Sequence, residues 1–465
     1  MEAIRDYMDT AGVRAWLVGG ALRDLLSGLK PADLDLVTEA DPVAAARGFA
    51  DSTGGSFVLL SEEFRTCRVV AADRRCTYDF TAMRGGSITA DLAYRDFTVN
   101  AMARGLPPDA ELIDPFGGRD DLRAHRLAAV SPSIFRDDPL RLLRAARLEF
   151  AAGLVMGRDL EDMVRGQAAL AGRPAAERTF GELVLLLQLP HTAAAVRRLD
   201  DLGLLKVLLP ELCSLQGVKQ NRYHHLDVYE HTLAHAETLA RIVVEPASFF
   251  PETEEQIVRR RRRPGAGAAG WDFIMGFASL MHDIAKPCCA FTDSDGQTRF
   301  FEHDRRGSET ARRILARFKA GARVSGAVSF LVAGHMRFES LIQAGTPGRR
   351  ARLRYLRATH PFSPELIMMS VADRLSVRGP LVSGDDIRKH LRLAREMMVL
   401  SFAEEEVEPP PRIIDGDELM QDLGLGPGPV VGRILGRIEE EQRLGNITTR
   451  EQAVAAARRF REELT

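Results

Sequence analysis

Cysteine, long apolar runs and an excess of either charge are what this sequence has least of. Five cysteines in 465 residues cannot staple a fold, and the adjacent pair Cys288-Cys289 lacks C-x-x-C spacing. They read as ordinary thiols of a reducing compartment. No apolar run approaches the ~18 residues of a membrane span, so no membrane partner is expected. The opening MEAIRDYMDTAGVRAW is mixed in charge rather than basic and then apolar. No secretory signal is therefore expected, and the protein is placed in the cytoplasm. Lys and Arg number 63 against 65 Asp and Glu, a net charge of −2 that excludes a uniformly basic nucleic-acid binder but leaves room for a local basic groove. Aromatics are only 6%, while Ala, Leu and Arg abound, a balance that favours helices. With 45% hydrophobic and 28% charged residues the chain is globular. Its length suits roughly three domains at about 150 residues each.

Short β-rich segments cluster early, at 15–18, 34–37, 56–60, 68–70 and 77–80, each bounded by Gly, Asp or Pro. From Pro139 onward helical spacing takes over, in Leu140, Leu143, Arg144 and Arg147 and then Leu183, Leu186 and Leu187. The expected class is α+β, a small sheet domain followed by a long helical body. No repeat of about 20–50 residues is visible. The run Arg259–Arg263 ends in Pro264 and small residues, and reads as a solvated surface on an exposed loop or short helix rather than an RNA-contacting arm. Residues 403–411 (AEEEVEPPP) read as a linker to a tail.

Two constellations carry chemistry. In the first, Gly19-Gly20 follow a β-like stretch and open a helical one, a turn whose backbone amides can cradle a triphosphate. Asp33-Leu34-Asp35 comes next. On a strand, residues i and i+2 share a face, so the two carboxylates converge while Leu34 points into the core. Like charges that close repel unless a divalent cation sits between them, and hard oxygen ligands suit Mg²⁺. Asp79, on a later strand, offers a third acid. Three acids around paired Mg²⁺ ions are the site required for in-line attack of a hydroxyl on an α-phosphate. Alone, D-x-D is more often a solvated turn pair.

The order changes those odds. GGALRD, D-L-D, Tyr94–Ala101 (YRDFTVNA), Asp114–Gly118 (DPFGG) and Asp137–Arg144 (DDPLRLLR) follow one another along the chain. Together they resemble the class II tRNA nucleotidyltransferase and bacterial poly(A) polymerase family, a branch of the DNA polymerase beta superfamily, over about residues 15–215. The resemblance implies a polymerase-beta-like head. It implies that Asp33 and Asp35 hold Mg²⁺, with Asp79 as third acid. Gly19, Gly20 and Arg23 match the phosphate-side motif, and Arg95, Asp96 and Asn100 the motif lining the nucleotide and ribose pocket. Asp138 and Arg141, with Arg144 beyond them, match the motif that acts as a protein template for the incoming base. Positions i and i+3 of a helix are neighbours. Asp accepts from an exocyclic amine and Arg donates to ring acceptors, which suits cytosine and adenine but not uracil. The sequence departs from the family in having Tyr94 where a first arginine is usual, Asp137 where Glu is common, and a short segment between Met83 and Arg95. That short segment is reminiscent of relatives that add CC only.

The second constellation lies in the helical body: His231, His282-Asp283, His303, His335 and Asp373, with Lys286 three residues after Asp283. Imidazole and carboxylate ligands suit divalent transition-type ions such as Ni²⁺, Mn²⁺ or Co²⁺. This order resembles the HD superfamily of metal-dependent phosphohydrolases. It implies six metal ligands, with room for two metals, and Lys286 facing a bound phosphate. A helical HD fold that only supports RNA stays an alternative. His224, His225 and His235 are not expected to be ligands, although His225 is near enough in sequence to line the site.

The run Leu423–Pro429 reads as a tight turn opening a helix, and similar tails occur in CCA-adding relatives, where they meet the tRNA elbow. The expected divisions are 1–130 (head), 131–215 (nucleotide-selecting neck), 216–400 (HD domain) and 401–465 (tail). The expected partners are the tRNA 3′ end and elbow, CTP and ATP. The expected activity is template-independent addition of CCA, or of its CC part, to tRNA, with an HD domain that hydrolyses phosphoesters. Two rivals remain: a poly(A) polymerase, and a catalytically silent RNA-binding module on the same fold.

Overall fold

The computed structural model describes the chain except residues 32, 64, 221–224, 264–268, 295, 378–382, 407–410 and 464–465. It divides into two compact units, Met1–Leu186 with Ala194–Pro210, and Leu187–Ala193 with Glu211–Thr465.

The first unit is built on a seven-stranded sheet. In chain order its strands are β1 (Ala15–Val18), β2 (Asp33–Thr38), β3 (Ser56–Ser61), β4 (Thr66–Val70), β5 (Thr77–Ala82), β6 (Ala103–Gly105) and β7 (Leu112–Ile113). They lie side by side as β3-β4-β5-β2-β1-β6-β7. All neighbours run antiparallel except β2 and β5, which are parallel with Asp33 opposite Thr77 and Asp35 opposite Asp79. Side chains alternate across a strand. Leu34 and Leu36 of β2 and Tyr78 and Phe80 of β5 therefore enter one core, closed by Ile4, Met8, Ala46 and Phe49 from helices Glu2–Thr10 and Pro42–Thr53. The acids between those apolar residues are left on the opposite face.

The D-P-F-G-G motif builds this unit. Asp114 accepts from the amides of Gly118 and Arg119 at 2.7 and 2.9 Å, which caps helix Gly118–Arg123. A Cβ at Gly118 would stand 2.1 Å from the carbonyl oxygen of Thr98, so glycine lets this helix press on the turn Thr98–Asn100.

The second unit is mainly helical, and its expected all-helical character is corrected by one two-stranded hairpin, Ala290–Thr292 with Thr298–Phe300. The arginine run is also corrected. It ends helix Glu254–Arg261, but Arg260 is buried, donating to Glu365, Glu405 and the carbonyl of Pro361, and Arg261 pairs with Asp272 at 2.7 Å. A guanidinium with several acceptors can be buried where a solvated charge could not. The expected linker begins inside a helix, since Gly384–Glu406 runs through residues 403–406; residues 407–410 lie outside the described set. The tail helices Gly416–Leu423, Pro429–Arg443 and Arg450–Glu462 share a core of Leu419, Ile434, Ile438 and Phe460. The turn before the second of them has Gly424 in the left-handed region, as a helix C-terminus requires.

Gly118→Ala should cost roughly 1–3 kcal/mol by overpacking against a backbone oxygen. Urea unfolding of the full chain checks it, against Gly117→Ala, where the added Cβ meets nothing within 4 Å but the φ of +73° is strained.

Candidate functional site

Parallel pairing of β2 with β5 puts Asp33, Asp35 and Asp79 on one face. Asp33 is exposed and accepts from the Thr77 hydroxyl of the facing strand. Asp79 is held by Arg68 of β4, whose Nε and Nη2 donate to its two oxygens at 2.7 Å each. Asp35 is the acid deepest in the cleft. Burial pushes its carboxyl up from the ordinary range; Asp79 and Asp33 push the same way, and Arg95 and Arg144 oppose without cancelling. An ionised carboxylate set against burial and two like charges is a donor waiting for a cation, and three hard oxygen donors fit Mg²⁺.

The wall above Asp35 is the turn out of β1. Helix Gly19–Leu26 starts there with no side-chain cap, which leaves its first amides open toward the cleft. Gly19 has φ +68°, and a Cβ on it would lie 2.9 Å from Asp35 Oδ2 and 3.1 Å from Arg95 Nη1. Glycine is thus what lets the chain pass over both groups. One polar network ties the motifs together. Arg23 donates to Asp24 and, at 2.9 Å, to Asn100 Oδ1; Asn100 Nδ2 donates to Asp96 at 3.0 Å. Asp96, buried, pairs with Arg144 at 3.0 Å. Burial works against the Asp96 carboxylate, but Arg144 and the Asn100 and Phe97 donors hold it below its ordinary value. Gly19, Gly20, Asp35, Asp79, Arg95, Asp96, Asn100, Asp138, Arg141 and Arg144 line one cleft of about 560 Å³, whereas Asp33 and Arg23 are not among its lining residues.

Two lining residues, Asp91 and Arg84, and the partner of a third, Arg178, escaped the sequence reading. Asp91 is buried and accepts from Arg84 at 3.1 Å and from Arg95, four residues on, at 3.2 Å. The i, i+4 spacing of Asp91 and Arg95 was the available signal. Arg84 lies over the ring of Tyr94, 5.1 Å from its centroid, so a cation stands beside the position where the family's first arginine is missing. Arg178 was invisible in sequence, and it changes the account of Asp138. Asp138 and Arg141 do not share a helix: Ile134–Asp137 ends, Asp138 is extended (φ −145°, ψ 100°), and a new helix starts at Arg141. Asp138 therefore caps the break, accepting from the Leu140 amide at 3.2 Å, and pairs with Arg178 at 2.7 Å. Arg141 donates instead to the carbonyl of Tyr94 at 2.6 Å.

In the second unit the structure brings all six expected ligands together. His231 comes from helix Val228–Val244, His282 and Asp283 from the end of Trp271–Met281, His303 from the start of His303–Arg317, His335 from the end of Ala322–Gly334, and Asp373 from Ser363–Ser376. His282, which caps helix Trp271–Met281 with φ −57° and ψ −39°, and Asp283 after it meet at 3.1 Å. His231 Nε2 lies 3.5 Å from Asp283 and 3.1 Å from Asp373. His303 Nε2 is 3.4 Å from Asp283 and 3.2 Å from His335 Nε2. The rings are oriented by one repeated device. Nδ1 of His282, His303 and His335 faces the carbonyl three residues earlier, of Ser279, Phe300 and Val332, at 2.7, 2.6 and 2.6 Å. A carbonyl only accepts, so Nδ1 carries the proton and Nε2 turns its lone pair inward. Burial, and then His303 and His282, push His335 down to about 4, which keeps it neutral. Nε2 of His282 is buried with no hydrogen-bond partner. Asp283 belongs to two ligand groups, one with His231 and His282 and one with His303 and His335. That donor set fits paired transition-type cations. Lys286 Nζ sits 2.6 Å from Asp283 and donates to Gln220 at 2.7 Å. His235 stacks on His282 but spends both nitrogens on Ser279 and the Met369 carbonyl. His225 is exposed, and His224 lies outside the described residues.

A strand-pair acid cluster under a glycine-opened helix, beside an arginine-lined cleft, defines a nucleotidyltransferase head. Residues 15–128 match the Poly A polymerase head domain family, and residues 159–215 match the family described as the probable RNA and SrmB-binding site of polymerase A. The chain is 37% identical to the A-adding tRNA nucleotidyltransferase of Deinococcus radiodurans over 97% of its own length and 96% of that protein. It is 33% identical to the CC-adding tRNA nucleotidyltransferase of Thermus thermophilus over 95% of itself and 92% of that protein. The fold is shared with a solved CCA-adding enzyme in complex with ATP (TM-score 0.61, 20% identity, 97% of this chain and 92% of that one). It is shared also with the Thermotoga maritima CCA-adding enzyme complexed with tRNA (TM-score 0.57, 20% identity, 98% and 93%). The chain belongs to the class II tRNA nucleotidyltransferase and poly(A) polymerase family, whose members use divalent metal ions.

A carboxyl whose folded pKa is raised is ionised at a cost to the fold, a cost that is present once the pH is above its unfolded value. Asp35→Asn should therefore raise the thermal midpoint of the metal-free protein at pH 7. Mg²⁺ should raise the midpoint of the wild type and leave that of Asp35→Asn nearly unchanged, as read by calorimetry.

Proposed function

We propose that this protein adds nucleotides of the CCA end to the 3′ terminus of tRNA. The observation that carries the proposal is the Asp35–Asp79 register beneath Gly19, in a chain that aligns end to end with two tRNA nucleotidyltransferases. In this reading Asp33 and Asp35, with Asp79 beside them, hold Mg²⁺. When bound, those ions would supply a lower pKa for the attacking 3′ hydroxyl and charge compensation for the leaving pyrophosphate. The residues of the chain do the rest. The open amides at Gly19 and Gly20 and the guanidiniums of Arg23 and Arg95 receive the triphosphate. Asn100 and Asp96 fix the ribose, and Arg144 holds Asp96 in place. Asp138 and Arg141 face the base, positioned by Arg178 and the Tyr94 carbonyl. The 3′ oxygen attacks the α-phosphorus, the α–β bridge bond breaks, and pyrophosphate leaves opposite the attacking oxygen. Residues 1–130 form the head of this machine and 131–215 its neck; 401–465 reach the tRNA elbow.

The product we propose is the terminal A, as in the relative with which the chain shares 37% identity. CC addition is the second reading, favoured by the short segment between Met83 and Arg95 and by the Thermus thermophilus relative. Extension of tRNAs ending before, within or just short of CCA, with CTP, ATP or both, then sequencing, decides it. A single A on tRNA-CC supports the first reading, and two C residues on tRNA lacking CCA support the second. Long tails on unrelated RNA with ATP alone would make it a poly(A) polymerase. Replacing both Asp33 and Asp35 with Ala should reduce addition on the order of 10³-fold with tRNA binding kept. Unchanged addition would remove the two-metal mechanism.

We infer for residues 216–400, within the second unit, the hydrolysis of phosphoesters. Its six ligands would hold Ni²⁺, Mn²⁺ or Co²⁺ ions, which activate water when bound. Lys286 would face the phosphate. Water adds to phosphorus and the ester oxygen leaves, which would clear 2′,3′-cyclic or 3′-phosphate ends before extension. Asp283→Ala should abolish metal-dependent phosphate release and leave nucleotide addition within about twofold, because the two reactions use different residues.

A further inference from the structure

Resting on the phosphoester-hydrolysis reading of the histidine–aspartate cluster, we propose that the exposed hairpin beside it is a base-stacking platform, so that the substrate of this site is a nucleotide or RNA 3′ end and not a phosphoester at large. Phe291 and Phe301 are 57% and 64% exposed, among the most exposed large apolar residues in the described chain. Their ring centroids lie 6.5 Å apart at an interplanar angle of 46°, so together they present aromatic surface to solvent. Water-facing phenylalanine is unfavourable unless something covers it.

The hairpin is tied to the cluster at both ends. Helix Lys286–Cys289 leads from Asp283 and Lys286 straight into its first strand at Ala290. Its second strand ends at Phe300, whose carbonyl orients the His303 ring at 2.6 Å. Phe300 also lies under Lys286, with Nζ 5.3 Å from the ring centroid. Phe301 is two residues before His303, so their Cα atoms are at most about 7 Å apart. Between them Glu302 takes a left-handed conformation (φ +59°), which turns the chain sharply. Phe301 is thereby left outward while His303 is buried inward.

The occupant is argued from charge and shape. Any compound cleaved here brings a phosphate to Asp283, Lys286 and the histidines. Arg306, exposed and one turn beyond His303, adds a cation on the same helix face. Two exposed aromatic rings beside that phosphate offer a flat, uncharged group a stacking surface, and every nucleobase has such a face. A membrane surface is less suited, because the two rings sit on a short hairpin and not on an amphipathic helix.

The test uses the full chain and two readings. Adenosine 3′-monophosphate and the base-free glycerol 2-phosphate are hydrolysed with Ni²⁺, and quenching of 2-aminopurine riboside 3′-monophosphate fluorescence is followed in Mg²⁺ without hydrolysis. The double variant Phe291→Ala, Phe301→Ala should raise KM for the nucleotide about tenfold, hold kcat within about twofold, leave glycerol 2-phosphate unchanged and lose quenching. Phe301→Trp should restore the wild-type KM and quenching, and Phe301→Leu should not. Equal KM and equal quenching in the wild type and the double variant would overturn the platform. So would an equal loss on both substrates, which would mark the hairpin as a mere support for His303. If the wild type hydrolyses neither compound, the phosphohydrolase reading fails by itself, and the quenching comparison still judges the platform.

Discussion

One pairing carries the first unit: β2 beside β5, parallel and in a single register. A shift by one residue would turn Asp33, Asp35 and Asp79 into the core and Leu34, Leu36, Tyr78 and Phe80 into the cleft. The apolar residues thus position the acids. Burial of Phe80, Leu36 and Phe49 on one face makes the other face an obligatory meeting place for carboxylates, whose mutual repulsion the fold alone does not relieve. The cleft residues answer that repulsion from above. Arg95 and Arg144 lower the Asp35 carboxyl but are themselves committed to Asp91 and Asp96. The arginines therefore stay fixed when a cation arrives, and the acid cluster is stiff enough to define where it sits.

The second unit reaches a convergent cluster by other means. No strand supplies its register. Five helices meet there, and three of the four histidines take their tautomer and orientation from a carbonyl three residues earlier in the chain. That device needs no partner from elsewhere in the fold, because the turn that buries each histidine also orients it. Glycine again sets the approach: a Cβ on Gly307, in the helix that begins with His303, would stand 3.2 Å from Val332 and 3.6 Å from the His282 carbonyl.

What could be read from sequence followed the range of the interaction. Strands β1 to β5 are β-rich and bounded by Gly, Asp or Pro, which made them visible, and D-L-D declares its own face. Strands β6 (ARG) and β7 (LI) are three and two residues long, with no pattern to find; they exist because β1 has an open edge. Asp114 stands out only as part of a motif and Asp91 only by its spacing from Arg95; folding reveals that the first caps a helix and the second is clamped by two arginines. Arg260 sits in a run of five arginines, and charge runs are normally solvated. It is buried because Glu365 and Glu405, more than 100 residues away, supply its acceptors. The convergence of His231 to Asp373 was legible because metal chemistry restricts residue type. The hairpin between His282 and His303 was not, since its exposed phenylalanines belong to no core pattern.

The break at Asp138 links two departures from the family that look unrelated in sequence. Arg141 cannot be set by helical spacing from Asp138, because no helix joins them. It is set by the carbonyl of Tyr94, and Tyr94 is also the residue that replaces an arginine and ends the short segment after Met83. Arg84, near the start of that segment, lies against the Tyr94 ring, and Asp91 within it clamps both Arg84 and Arg95. The segment therefore forms one wall, anchored on a single buried carboxylate, against which Arg141 rests. Asp35 and Asp79, by contrast, are placed by strand register. The wall that holds Arg141 and the acid cluster are thus positioned by different elements of the fold.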